Sequence, residues 1–311
     1  MPSQWSSGWR LGVFVIPLPI LFSLLRQMES IPSYEQVVGV KQLSDGERAI
    51  ELKRLFEYDA TENRLSIVGN RYIYHFMMDE ICRTKPVQHE SLWSVYHCDA
   101  EGGIERLAEE CLRRRGSMRP QDIFETYRVN RGCVSIFQAG TAKHLYQRFG
   151  ATSVLDPCAG WGGRLLAAHS LGLRYTGIDT NPHLMKPYSL ILKDLNDPNL
   201  KMIWQSCLDT DFEAIDYDFV LTSPPYGNVE LYTGMPEWPS KEAFYNAFLI
   251  PLLEKCLRSC RGRYVCFNIS PAMYSDLLRC GFRPCDTMVD LPQRVRGGVD
   301  KQNKIYIWVK N

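Results

Sequence analysis

Two short stretches carry residue types that could do chemistry. The first is Ser223-Pro224-Pro225-Tyr226, a hydrogen-bonding side chain, two rigid residues and a flat ring, directly after Asp218-Phe219-Val220-Leu221-Thr222. That apolar run reads as a buried strand, and the fixed φ of proline stiffens the turn behind it. The second is Val154-Leu155-Asp156-Pro157-Cys158-Ala159-Gly160-Trp161-Gly162-Gly163-Arg164, a strand that ends in acid and opens into a glycine turn. Glycines let such a turn adopt positive φ and approach a ligand closely. Asp179 closes the next strand, where a carboxylate can accept the hydrogens of a ribose diol, as in nucleotide-binding folds. The turn lacks the G-x-G-x-x-G spacing of a dinucleotide site. Asp156 just before it would also repel a pyrophosphate and attract a cation, so the pattern speaks against NAD.

The elements that must position these residues follow from periodicity. From Thr152 onward strand and helix signals alternate. Strands are predicted at 152–156, 174–179, 201–204, 217–222, 263–269 and 304–309, with a further one within 282–290. Helices are predicted at 142–148, 162–171, 182–194, 240–260 and near 271–280. This alternation predicts an α/β, doubly wound, mostly parallel sheet. The alternating aromatic stretch Lys304-Ile305-Tyr306-Ile307-Trp308-Val309 reads as an edge or antiparallel strand. Ligands of such sheets sit beyond the carboxyl ends of the strands, where both stretches fall. Residues 29–135 read as mainly helical. Ser44 with Glu47 forms a capping box ahead of Ile50, Leu52, Leu55 and Phe56. A second helix, marked by Ile104, Leu107, Ala108, Cys111 and Leu112, ends at Gly116 after Arg113 to Arg115, charges that suit a helix C-terminus.

Three regions are therefore expected: 1–28, 29–135 and 136–311. In the first, Leu11 to Leu25 is almost wholly apolar but shorter than the roughly 20 residues a membrane span needs. Pro17 and Pro19 would break a signal-peptide helix, and arginines are sparse for an organellar presequence. The segment is either a targeting element or, with Met28 as the working start, no part of the fold.

The 311 residues are 45% hydrophobic and 23% charged, ample for a sizeable core. A net charge of +1 argues against a large passive nucleic-acid surface and leaves room for a local basic patch. The 11 cysteines are irregularly spaced, which points to reduced thiols in an intracellular, reducing compartment. Cys256, Cys260 and Cys266 contain no C-x-x-C, so no metal is expected.

A glycine turn followed by Ser-Pro-Pro-Tyr resembles the S-adenosylmethionine-dependent nucleobase amino-methyltransferases, of the adenine-N6 and cytosine-N4 DNA methyltransferase type. The resemblance runs from Phe137 to Trp308. It implies a Rossmann-like methyltransferase sheet with S-adenosyl-L-methionine as cofactor. Asp156, Pro157, Ala159, Gly160 and Gly162 would serve the methionine end, and Asp179 the ribose. Cys207 and Asp209 would flank the adenine, and Phe137 and Thr141 would cover the methionine moiety. Ser223, Pro224, Pro225 and Tyr226 would form the catalytic loop. An exocyclic amine is a poor nucleophile because its lone pair is delocalised into the ring. The Ser223 side chain and the Pro224 carbonyl would each accept one N–H, aiming the lone pair at the methyl carbon. Tyr226 would stack on a base that has left its helix or is single-stranded. Serine at the first position tilts the target slightly toward cytosine.

For substrate, Tyr232 lies in the glycine-bounded loop after the motif. Arg294 and Arg296 occupy a basic loop before the last strand, and Arg128 and Arg131 precede the catalytic half; these suit phosphate contacts. DNA is favoured over RNA as partner. No target-recognition domain follows, so recognition rests on 29–135 or is weak; a partner subunit or a homodimer is left open. The alternatives are an RNA base amino-methyltransferase acting on adenine N6 or guanine N2, a protein-glutamine methyltransferase, and a non-catalytic partner subunit. Ser223 speaks against the second, whose family has Asn there; the intact tetrad speaks against the last.

Overall fold

Which faces of a strand are covered decides how its sequence reads. β1 (Ser153–Asp156) is buried throughout; Val154 enters one core and Leu155 the other. β4 (Phe219–Thr222) repeats this, with Phe219 and Leu221 on the first side and Val220 on the second. Both read as continuous apolar runs because helices cover both faces. The structure, a computed structural model, describes residues 31–85, 89–99, 102–131, 134–227, 235–292 and 304–310.

With β2 (Arg174–Asp179), β3 (Leu200–Trp204), β5 (Tyr264–Ile269), β6 (Thr287–Asp290) and β7 (Lys304–Val309), these strands form one seven-stranded sheet in the order β3-β2-β1-β4-β5-β7-β6. Only β7 runs against its neighbours, β5 and β6. This is the predicted doubly wound, mostly parallel, Rossmann-like sheet. β7 is antiparallel but interior. Ile305 and Ile307 enter one core and Tyr306 and Trp308 the other, so its aromatic alternation reflects two buried faces. The strand order reverses between β1 and β4, which opens the crevice where such sheets bind ligands.

The first face is covered by α7 (Ala139–Phe149), α8 (Gly163–Ser170) and α9 (Met185–Leu195). The second is covered by α11 (Ile250–Ser259) and α12 (Pro271–Arg279). The single helix predicted at 240–260 is divided into α10 (Lys241–Phe244), a π-helical turn (Tyr245–Leu249) and α11. Pro251 lies just beyond the turn and lacks an N–H to continue the ladder.

The helical region comprises α1 (Tyr34–Gly39), α2 (Asp45–Glu57), α3 (Asn70–Arg83), α4 (Leu92–His97), α5 (Gly103–Arg115) and α6 (Pro120–Arg131). Ser44 and Glu47 form the expected capping box of α2. Helix α3 has two buried faces. Tyr72, Ile73 and Met77 join the core under the sheet, and Met78 and Cys82 join a separate core with Val37, Leu107 and Phe124. Buried polar ties reinforce this docking. Lys143 of α7 donates to the Leu55 and Phe56 carbonyls, each at 2.8 Å.

Candidate active site

A cavity of about 830 Å³ opens at the carboxyl ends of β1, β2, β4 and β5. On its β1–β2 side the glycine turn is held from several directions. Gly160 and Gly162 have φ of +56° and +90°, a region costly for any side chain. A Cβ on Gly163 would lie 1.9 Å from the Phe137 carbonyl oxygen, so only glycine lets the segment before α7 pack onto the turn. Tyr188 of α9 donates to the Gly160 carbonyl at 2.9 Å. The Cys158 N–H donates to Thr222 Oγ1 at 3.0 Å, which joins the end of β1 to the end of β4.

Asp179 lines the cavity at the end of β2. Its two oxygens accept from the Gly160 and Asn181 N–H groups, each at 2.9 Å. Burial pushes its carboxyl pKa up, against the pull of these backbone donors. Asn181 is in turn fixed by Nδ2 donating to Glu80 of α3 at 3.1 Å. The helical region thus supports the cavity wall directly, and Leu65, just before α3, lines it.

The loop acid differs from expectation. Asp156 is fully buried and does not line the cavity. Its Oδ2 accepts from Arg164 Nε and from the Tyr175 hydroxyl, both at 2.7 Å. The Arg164 guanidinium also donates to the Cys158 carbonyl and sits 5.0 Å from the centre of the Phe137 ring. Burial opposes the charge of Arg164, but the neighbouring Asp156 carboxylate outweighs it and holds the pKa above the ordinary value. Arg164, not Asp156, therefore reaches the cavity wall. Thr141, 1% exposed, also lines the cavity and leaves Oγ1 without a hydrogen-bond partner. Thr141 lies in the first turn of α7, whose N-cap residue Gln138 makes no side-chain cap; its Oε1 accepts from the Ser66 N–H instead.

Pro157, Ala159, Gly160, Phe137 and Cys207 line the cavity as expected of a ligand wall. Gly162 and Asp209 do not. Gly162 turns toward Tyr188, and Asp209 is exposed in the turn after β3. Gln205, Ser206 and Leu208 line that part in its place.

On the β4–β5 side Ser223, Pro224, Pro225 and Tyr226 all face the cavity. Asn268 of β5 donates from Nδ2 to Ser223 Oγ at 3.0 Å. Trp238 and Phe248 complete an aromatic wall, with ring centres 5.9 Å apart. The π-helical turn carries Phe248 into this wall. Sequence reasoning missed Arg164, Asn181, Asn268, Trp238 and Phe248.

The described basic candidates are not at the cavity. Arg128 pairs with Glu125 at 2.8 Å on α6, and Arg131 ends that helix half-buried; neither lines the cavity. Arg114 pairs with Glu110 at 3.1 Å, as a solvated helix end would. Tyr232, Arg294 and Arg296 lie outside the described residues. Among the described residues no three His, Cys, Asp or Glu side chains cluster as a metal site.

No family profile matches the chain, and no curated protein does. Solved structures do match. TrmN from Thermus thermophilus is 18% identical over 56% of this chain and 49% of its own, with a TM-score of 0.40; the chain thus spans about half of that protein. An RNA methyltransferase from Salinibacter ruber in complex with S-adenosyl-L-homocysteine is 15% identical over 57% of this chain and 94% of its own, TM-score 0.37. A human methyltransferase 10 domain containing protein is 14% identical over 56% of this chain and 83% of its own, TM-score 0.40.

Proposed function

We propose that this chain transfers a methyl group from S-adenosylmethionine to an exocyclic amino group of a nucleobase, adenine N6 or cytosine N4, in DNA. One observation carries the reading: a single cavity joins the Asp179 carboxylate to the Ser223–Tyr226 loop. Its residues suit the cofactor. Asp179 accepts from a ribose diol. The Arg164 guanidinium, the Thr141 hydroxyl and the open first turn of α7 suit a carboxylate at the methionine end. Cys207 and Leu208 give an apolar wall for adenine. The cofactor supplies an electrophilic methyl carbon. The chain supplies position: the Ser223 oxygen and the Pro224 carbonyl accept the amine hydrogens, and Tyr226, Trp238 and Phe248 enclose a base taken out of its stack. Ser223 is no strong base, and none is required, because the amine becomes acidic as it gains the methyl and releases its proton late. In this reading the chain works in a reducing intracellular compartment, consistent with free thiols at the described cysteines.

Radiolabelled S-adenosylmethionine, offered with separate pools of double-stranded DNA, single-stranded DNA, RNA and protein, tests the reading. Label in N6-methyladenine or N4-methylcytosine of DNA is expected. Label confined to RNA would move the substrate, and label in protein glutamine would overturn the reading.

A further inference from the structure

The carboxylate of Asp179 is aimed by a side chain that lies outside the sheet. Its two oxygens accept from the Gly160 and Asn181 N–H groups, each at 2.9 Å. A carboxylate offers about four acceptor sites, so two such bonds fix its plane and leave capacity for the two hydroxyls of a ribose. The two backbone donors are held in different ways. Gly160 belongs to the glycine turn, and Tyr188 donates to its carbonyl at 2.9 Å. Asn181 leads into the 3₁₀ turn Pro182–Leu184 and is held through its own amide. Its Oδ1 accepts from the His183 N–H at 3.0 Å, and its Nδ2 donates to Glu80 Oε1 of α3 at 3.1 Å. Both partners are buried, Asn181 at 3% exposed and Glu80 at 6%. A carboxyl so placed is costly unless it is hydrogen-bonded. Burial pushes the Glu80 pKa up, and the Asn181 amide pulls against that.

We infer that Glu80 is a positioning residue for the cofactor: by holding the Asn181 amide it sets the N–H that orients Asp179 toward the ribose diol. The inference rests on the placement of the ribose at Asp179 proposed above. It gives the helical region a task in cofactor binding, because α3 brings Glu80 to the end of β2.

Calorimetry with two ligands tests this, S-adenosylhomocysteine and its 2′,3′-dideoxy analogue, which lacks the diol. Wild type is compared with Glu80→Met, Glu80→Gln, Asp179→Ala and the Glu80→Met, Asp179→Ala double variant, and urea unfolding of each is followed alongside. Glu80→Met keeps the bulk and removes the acceptor, so S-adenosylhomocysteine affinity should fall about three- to tenfold while affinity for the dideoxy analogue stays within about twofold of wild type. Glu80→Gln can still accept from Asn181 through its amide oxygen and should stay within about twofold for both ligands. Glu80→Met should add little to Asp179→Ala, since both act through one carboxylate. Unchanged S-adenosylhomocysteine affinity in Glu80→Met, where Asp179→Ala weakens it, overturns the inference alone. An equal loss for both ligands also overturns it, because that marks a general loosening of the cavity wall, which a drop in the unfolding midpoint would accompany. If Asp179→Ala itself leaves S-adenosylhomocysteine affinity unaltered, the ribose placement fails and the inference fails with it.

Discussion

At the residue scale, function depends on how rigidly a polar atom is held. Asp179 is fixed by two backbone donors, each at 2.9 Å. Hydrogen bonds to a charged group are worth about 1.5–3 kcal/mol. Asp179→Ala should therefore weaken S-adenosylhomocysteine binding roughly ten- to a hundred-fold in calorimetry. Because burial raises the Asp179 pKa, it protonates at higher pH than an ordinary carboxylate. Cofactor affinity should thus begin to fall on acidification before the usual carboxylate value of about 3.9 is reached. A flat affinity down to about pH 4 would remove Asp179 from the ribose. Tyr226 separates ring from hydroxyl. Its hydroxyl bond to Asn268 is long, 3.5 Å, whereas stacking of a base on an aromatic ring is worth about 1–3 kcal/mol. Tyr226→Ala should lower kcat/KM for nucleic acid about tenfold or more and spare cofactor affinity, and Tyr226→Phe should stay close to wild type. Loss of cofactor binding in Tyr226→Ala would contradict this division of roles.

At the element scale, the glycine turn and the segment before α7 form one packed unit. A Cβ on Gly163 meets the Phe137 carbonyl at 1.9 Å. Gly163→Ala must push the segment away and carry the Phe137 ring off Arg164. Overpacking of this kind costs about 1–3 kcal/mol, and both the unfolding midpoint and cofactor affinity should drop. Gly46, exposed in the first turn of α2 with nothing within 4 Å of an added Cβ, is the contrast. Gly46→Ala should be neutral or stabilise by roughly 0.5–1 kcal/mol. Elements were the legible part of the sequence. The strands predicted at 152–156, 174–179 and 217–222 match β1, β2 and β4 to within a residue or two; for β1 and β4, two-sided burial writes itself as a local apolar run. What local pattern cannot carry is pairing. The acid of Asp156 reads as available to a ligand until folding brings Arg164 and Tyr175 onto it. Likewise Glu80 reads as an ordinary helix-surface residue until α3 docks and it meets Asn181 across the fold. Asn268 lies within the predicted strand 263–269, one residue before the end of β5; only the register of β4 with β5 sets it against Ser223.

At the scale of the whole molecule, the helical region and the sheet share α3, so neither core is complete alone. One polar joint fastens them at the surface. Arg48 of α2 pairs with Asp194 of α9 at 2.8 Å, and the Tyr72 hydroxyl of α3 donates to the same carboxylate at 2.6 Å. Burial by itself would raise the Asp194 pKa, but the hydrogen bonds from Arg48 and Tyr72 prevail and hold it below the ordinary value. A carboxyl whose folded pKa lies below its unfolded one stabilises the fold above the unfolded value, about 3.9 for aspartate. That stabilisation is lost as pH falls through the folded value. The pair is partly screened by solvent, so its share is on the order of 1 kcal/mol rather than the several of a buried pair. Arg48→Ala should accordingly lower stability at neutral pH by about that amount in urea unfolding, and the gap from wild type should close as Asp194 protonates. The Arg48 side chain also lies 5.9 Å from the Phe76 ring centre. A gap that persisted unchanged into acid would assign the joint to that packing, and a Tyr72→Phe variant, which keeps the ring and removes the hydroxyl, would then leave the acid dependence of the wild type untouched.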